Sequence, residues 1–431
     1  MSKSFRPYAP EQMLLMPASL RDWLPEDHLA YFISDVVDHL DLEAIMARYK
    51  TEERGYPPYH PRMMVKVLLY AYCIGVPSSR KIAKRIEEDV AFRVLSANNT
   101  PDFRTISDFR KDHLEALAGS FVQVLKLCQK AGLVKLGHVA LDGTKVKANA
   151  SKHKAMSYGR MKQEEARLEE EVKRLLKEAE VVDEEEDRRY GKDKRGDELP
   201  RELARRESRL KKIREAKAAL EAEEEARTAQ AVAPEDKRQH NFTDPESRIM
   251  VSSEKSFVQA YNCQAAVDSQ SQVIVACEAT NQASDKPHLK AMMEQVTANI
   301  GSKPEKLSAD AGYFSEENLK LMEKEGVEAY IPPDKQRHTS PLPPAPRGRI
   351  PEGLSLKERM RRKLRTKKGQ SIYSKRKVSV EPVFGQIKQA RGFRQFLLRG
   401  LRKVSAEWRL ICLTHNLLKL HTTRRWAIVQ R

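Results

Sequence analysis

The sequence predicts a mixed α/β core, preceded by an all-helical N-terminal domain and interrupted by a long inserted helical hairpin. Three observations lead there. The hydrophobic period changes from about 3.6 to 2 near residue 137, the signature of helices giving way to strands. Strand-like and helix-like runs then alternate as far as residue 332. Between the first two strands lie about 85 residues, 154–238, that are crowded with Glu, Lys and Arg.

Residues 1–135 read as helices. The run HPRMMVKVLLYAYCIGV (60–76) has apolar residues at helical spacing and breaks at Gly75 and Pro77. Ser78 or Ser79 can cap the next helix, SRKIAKRIEED, which carries Arg80, Lys81, Lys84 and Arg85 in its first turns. A helix, a short Gly-containing turn and a basic helix form a candidate helix-turn-helix, so these four residues are candidate DNA contacts. Such pairs also occur in plain helical bundles. A second break, Asn98-Asn99-Thr100-Pro101, precedes a helix predicted from about Ser107 to Gly132.

The next stretch, GHVALDGTKVKA (137–148), alternates and is β-branched, so it reads as a strand. FVQAYNCQAAVD (257–268) and QVIVACEAT (272–280) follow as two strands of a hairpin, with Asp268 ending the first, either as a plain strand terminator or as a further carboxylate of an acidic site. A helix is expected from about Lys286 to Asn299, with Asp285 at its start. KLSADAGY (306–313) then reads as a strand, SEENLKLMEKEG (315–326) as a helix and VEAYIP (327–332) as a strand. Periodicity supports only a mixed α/β unit, but this order of elements is the one met in RNase H-like domains.

Inside the insertion, Met161, Leu168, Val172, Leu175 and Ala179 recur at coiled-coil spacing. After a breaker at 191–200, Leu203, Leu210, Ile213 and Leu220 repeat the pattern, which predicts an antiparallel coiled-coil hairpin or a polar spacer. Residues 333–370 begin Pro-rich, end basic and read as a loop or linker. WRLICLTHNLLKLH (408–421) reads as a core helix.

Net charge is +18, and it is concentrated. From Arg347 onward there are 24 Lys and Arg against 4 acids, which leaves the rest of the chain nearly neutral. A segment of this kind suits a polyanion, because phosphate contacts release condensed counterions. The five cysteines are scattered with no Cys-x-x-Cys pair, and the histidines lack metal spacing, so neither disulfides nor zinc are indicated. No apolar stretch approaches the ~20 residues of a membrane span, and no secretory leader is evident. A cytoplasmic, nucleoid-associated protein is expected.

Three acids stand where strand-and-helix order can bring them together. Asp142 follows HVAL and precedes Gly143, although Asp-Gly is also an ordinary tight turn. Asp310 ends a strand, where a turn or cap would serve equally. Glu381 precedes Pro382 and reads as opening a helix. Their surroundings resemble those of bacterial insertion-sequence transposases of the DDE type. LDGTKVKA resembles the first-aspartate motif and SADAGYFS the second, while YSKRKVSVEPVFGQIKQARGFRQFLLRGL resembles the C-terminal signature. Tyr373, Arg376, Glu381 and Lys388 match that signature's Tyr, Arg, Glu and Lys. Six residues separate Glu381 from Lys388, as the pattern asks. Four separate Arg376 from Glu381 where three are usual, so Lys377 competes for the arginine position. The stretch from about Met13 to His113 is similar to the helical domain preceding these catalytic domains, and TDPESRIM (243–250) also recurs in the group.

The resemblance implies an RNase H-like catalytic domain (136–153 and 239–431) behind a DNA-binding helical domain (1–135). It further implies two Mg²⁺ or Mn²⁺ ions bound by Asp142, Asp310 and Glu381. DNA contacts would come from Tyr373, Arg376, Lys388 and Arg391. The implied partners are double-stranded DNA, both the element's terminal inverted repeats and its target, and a second protomer or more. A catalytically inactive or domesticated sequence-specific DNA-binding protein is the competing reading, and a coiled-coil scaffold explains only the insertion.

Overall fold

The computed structural model describes residues 19–51, 57–190, 201–228, 232–252, 255–334, 345–346, 348 and 351–430. Its first third is helical: α1 (Leu29–His39), α2 (Glu43–Met46), α3 (Pro61–Cys73), α4 (Ser79–Glu88), α5 (Val90–Ser96), α6 (Phe103–Asp112) and α7 (Leu114–Lys130). Pro61 opens α3, where a missing N–H costs nothing. Asp89 and Asp102 cap α5 and α6 by accepting from the amides of Ala91 and Thr105. The single helix predicted from Ser107 to Gly132 is two, because His113 (φ −111°, ψ 15°) leaves the helical region between α6 and α7. Its ring meets Phe109 and the Tyr49 hydroxyl, a tertiary contact that no Gly or Pro announces.

The remaining elements are β1 (Val139–Lys147), β2 (Ala155–Ser157), α8 (Tyr158–Tyr190), α9 (Arg201–Thr228), β3 (Gln239–Asn241), β4 (Arg248–Val251), β5 (Phe257–Asp268), β6 (Ile274–Thr280), α10 (His288–Ile300), β7 (Lys306–Ala309), α11 (Glu316–Lys324), β8 (Glu328–Tyr330), α12 (Leu356–Arg365), α13 (Lys367–Gly385), α14 (Leu401–Thr422) and α15 (Trp426–Gln430). β1 is central, antiparallel to β5 and parallel to β7, which in turn is parallel to β8. The far edge of β5 carries β6 along its second half and β4 along its first. The order β6-β5-β1-β7-β8 is the mixed sheet expected of an RNase H-like core, and β4 is an addition the pattern did not announce. Asp268 has a structural task at the end of β5, accepting from the amides of Lys135, Leu136 and Gln270.

The insertion stands on a two-stranded base, β2 paired with β3. Cross-contacts on α8 and α9 run in opposite directions, Tyr158 to Glu221, Glu165 to Lys217 and Glu171 to Arg206, so the helices are antiparallel. Their apolar seam of Tyr158, Met161, Leu168, Leu210, Ile213, Ala216 and Leu220 forms a small core separate from the main one. The breaker at 191–200 and the side chains of Ala179 and Leu203 lie outside the described residues.

One continuous apolar cluster joins the N-terminal helices to the sheet. α14 is its axis, packed against α7, α3 and β6. Among its buried residues are Trp408, Leu413 and Leu417, and Asn416 replaces a missing strand neighbour by bonding both the N–H and the C=O of Ile274 at 2.8 Å. Part of the expected linker is in fact α12, opened by a capping box between Ser355 and Glu358. Residues 335–344, 347 and 349–350 of that stretch lie outside the described residues. No described helix is long and apolar enough to cross a membrane.

Candidate active site

Asp142 is in the middle of β1, paired with Ala265 of β5, so the Asp-Gly dipeptide is not a turn. Gly143 is required for a different reason. A Cβ there would lie 2.6 Å from Gln264 Nε2 and 2.8 Å from Asp285 Oδ1, so any side chain would expel both. Asp310 follows the last residue of β7, the parallel neighbour of β1, and accepts from the Gly312 amide at 2.8 Å. Two adjacent strands thus deliver two aspartates to one edge of the sheet. Burial pushes the Asp142 carboxyl up to about 7, with Arg376 opposing and Asp310 adding to the shift. Asp310 is also raised, by burial first, against the Gly312 amide and with the charge of Asp285 adding.

Asp285, expected only as a helix start, is the residue the sequence reading missed. Its Oδ1 accepts from Asn262 Nδ2 (2.7 Å), Gln264 Nε2 (2.9 Å) and Lys145 Nζ (3.4 Å). Behind it, the buried Tyr313 hydroxyl donates to Gln264 Oε1, and Trp408 Nε1 to the Gln264 carbonyl at 3.0 Å. The alternation of β5 holds the signal in retrospect: Asn262 and Gln264 are polar residues at wholly buried positions, which demand a polar partner.

The third wall is α13. Glu381 does not open this helix but lies deep within it, and Pro382 is a helix-interior proline. Pro382 lacks the N–H that would reach the Val378 carbonyl, and Gln272 Nε2 donates to that carbonyl instead, at 2.8 Å. The Glu381 side chain is 50% exposed, at the rim rather than on the floor. Arg376 bridges the two levels, with Nη1 2.7 Å from Asp142 Oδ2 and Nη2 3.4 Å from Glu381 Oε1. It also stands over the Tyr373 ring. Arg376, not the exposed Lys377, is therefore the cation at the carboxylates. Among the described residues, no group of three or more His, Cys, Asp or Glu side chains is drawn together as an ion-holding cluster.

α13 runs on into one π turn, Gln386–Ala390, which swings Lys388 onto β1. Lys388 Nζ bonds Thr144 Oγ1 and the Lys145 carbonyl, both at 3.1 Å. Arg391 corrects an expectation. It is buried, its guanidinium bonded to Thr414 Oγ1 (2.8 Å) and the Ile411 carbonyl (3.1 Å), so it ties α14 to the end of α13 and is not presented to DNA. Its own carbonyl packs so tightly on Gly75 that no Cβ fits there, locking the α3–α4 turn to this segment. On α4 itself, Arg80, Lys81, Lys84 and Arg85 are all exposed, and Arg80 lies over the Phe103 ring.

Two family models match the chain. One, described as Transposase domain (DUF772), covers residues 18–112. The other, described as Transposase DDE domain, covers residues 230–417 and so contains Asp285, Asp310 and Glu381 but not Asp142. No curated protein and no solved structure matches.

Proposed function

We propose that this chain, which belongs to the insertion-sequence DDE transposases, cuts DNA at its element's ends and joins them to target DNA through Asp142, Asp310 and Glu381. The observation that carries this is the pair of buried, charge-strained aspartates on adjacent strands, joined through Arg376 to Glu381 on α13. Buried carboxylates with raised proton affinity are hard oxygen donors short of positive charge, which suits divalent Mg²⁺ or Mn²⁺. Asp142, Asp310 and Glu381 would hold two such ions. Bound there, they supply a charge sink for the phosphoryl oxygens and favour the ionised form of the attacking oxygen.

The chain's own residues do the rest. Arg376 keeps Asp142 and Glu381 paired in the resting site and must release the Asp142 oxygen before that oxygen can bind a cation. Lys388 holds β1 to the catalytic helix, fixing Asp142 relative to Glu381. Exposed Arg80, Lys81, Lys84 and Arg85 bind the phosphates of double-stranded DNA, at the terminal inverted repeats, with Tyr373 and Arg376 nearer the scissile bond. Water attacks the phosphodiester at the element's end, breaking its P–O3′ bond to leave a 5′-phosphate and a free 3′-hydroxyl. That hydroxyl then attacks a target phosphodiester and displaces the target strand's 3′-oxygen, which leaves as a hydroxyl, so the acidic floor admits two successive phosphodiesters. Joining two ends calls for at least a homodimer on DNA at the nucleoid, with the coiled-coil arm of residues 154–238 available for protomer contact.

The test is Mg²⁺-dependent cleavage of a supercoiled plasmid bearing the element's ends. Asp142→Asn, Asp310→Asn and Glu381→Gln are each expected to fall to background while still binding the ends. A variant that still cleaves removes that residue from the assignment. A wild-type chain that binds the ends without cutting them supports the DNA-binding reading instead.

A further inference from the structure

We infer that Asp285 is a fourth carboxylate of this site, giving one oxygen to the divalent cation beside Asp310. The inference rests on the metal-dependent reading above.

Asp285 lies between β6 and α10, yet it does not serve that helix as a cap. Pro287 is the N-cap, with no side-chain bond, and Asp285 contributes to the turn only its main-chain oxygen, accepting from the His288 amide at 3.1 Å. The carboxylate turns to the sheet instead. Three donors, Asn262, Gln264 and Lys145, all converge on Oδ1. Among the described residues no hydrogen bond reaches Oδ2. That oxygen faces Gly312, where it and Asp310 Oδ1 lie 3.1 and 2.9 Å from the point a Cβ would occupy. Asp268, at the end of β5, uses both its oxygens on main-chain amides. Asp285 is clamped by one and offers the other.

A second observation is independent of the acids. Asn262 is fully buried, and its Oδ1 has no hydrogen-bond partner. This acceptor lies 3.0 Å from the Cβ position of Gly143, beside Asp142 and Asp285. Its amide cannot be turned round, because Nδ2 already donates to two acceptors, Asp285 Oδ1 and the Gln282 carbonyl. An orphaned buried oxygen among carboxylate oxygens lacks a positive partner, and leaving it so is costly. A hard divalent cation, with its retained waters as donors, meets that need.

The test measures Mn²⁺ binding directly, by electron paramagnetic resonance titration of the full chain. Asp285→Asn keeps an acceptor for the three clamping donors and removes the charge. It is expected to bind Mn²⁺ about 10–100-fold more weakly, at an unchanged melting temperature in metal-free buffer. Should that variant fold poorly, Asp285→Ser is read in the same way. Wild-type Mn²⁺ affinity in either folded variant overturns the inference. If Asp142→Asn and Asp310→Asn lose Mn²⁺ and the Asp285 variant does not, Asp285 alone falls. If wild type binds no Mn²⁺, the reading beneath it falls too.

Discussion

Burial holds the Asp142 carboxyl at about 7 even though Arg376 stands 2.7 Å away. The folded chain therefore binds a proton there more tightly than the unfolded chain, whose aspartate titrates near 3.8. The resulting penalty is absent below about pH 3.8, grows as pH rises and is complete above about 7. In metal-free buffer at pH 8, Asp142→Asn should thus melt higher than wild type, by at most about 4 kcal/mol of stability, three pKa units' worth. The gain should vanish near pH 4 and shrink when Mn²⁺ is added to wild type. Thermal denaturation in EDTA at the two pH values checks this, and a variant less stable at pH 8 would show that Arg376 outweighs burial. Asp142 and Gly143 also show how a residue can be legible in kind but not in place. The dipeptide reads as a turn because the side chains that exclude a Cβ come from β5 and the β6–α10 connection, more than 100 residues away.

At the scale of elements, α13 and α14 divide the basic C-terminal segment in a way that charge alone does not reveal. Arg391 looks like its basic neighbours in sequence, yet it is a buried strut. Arg391→Gln should destabilise the fold by on the order of 2–3 kcal/mol, lowering the melting temperature with or without DNA. Arg80 and Lys84 on α4 predict the opposite behaviour. The double Gln variant should keep its melting temperature, bind the element's ends more weakly and reduce the log–log salt slope by about 2. An unchanged slope would take α4 off the DNA. α14 adds a pH effect through His415, fully buried and donating from Nε2 to the Gln272 carbonyl at 2.8 Å. Its pKa is pushed down to about 3 by burial, so the unfolded chain takes up a proton first as pH falls. Stability tied to His415 is whole above about 6.5 and declines below it, and His415→Asn should flatten that acid limb in a pH series of melts.

For the whole molecule, two cores of different size imply two levels of dispensability. The apolar seam of α8 and α9 is separate from the cluster that joins the N-terminal helices, the sheet and α14. Replacing residues 158–235 by a short loop above the β2–β3 base should leave the melting transition of the main core within a few degrees. Light scattering of that variant decides the arm's role: fewer protomers per assembly mark a protomer contact, and an unchanged number of protomers removes the idea. The main core, by contrast, does not separate a helical domain from a catalytic one. The α3–α4 turn is packed against Arg391, so the exposed basic helix α4 and the segment that ends α13 share a joint.

The sequence by itself determined the change from helices to a mixed α/β unit, the charged insertion after its first strand and the concentration of positive charge. Each of these is written in local periodicity or composition, which neighbours a few residues apart express without help. Tertiary structure alone decided the rest. It decided that the helix before Gly132 breaks at His113, that Glu381 and Pro382 sit inside a helix, that Arg391 faces inward, and that Asp285 joins the aspartates. These four depend on partners far apart in the chain: the Tyr49 hydroxyl, the Gln272 amide, the Ile411 carbonyl and Thr414 hydroxyl of α14, and the Asn262–Gln264 pair. No periodicity encodes which distant polar group will meet a buried one, because that pairing exists only once the sheet has closed.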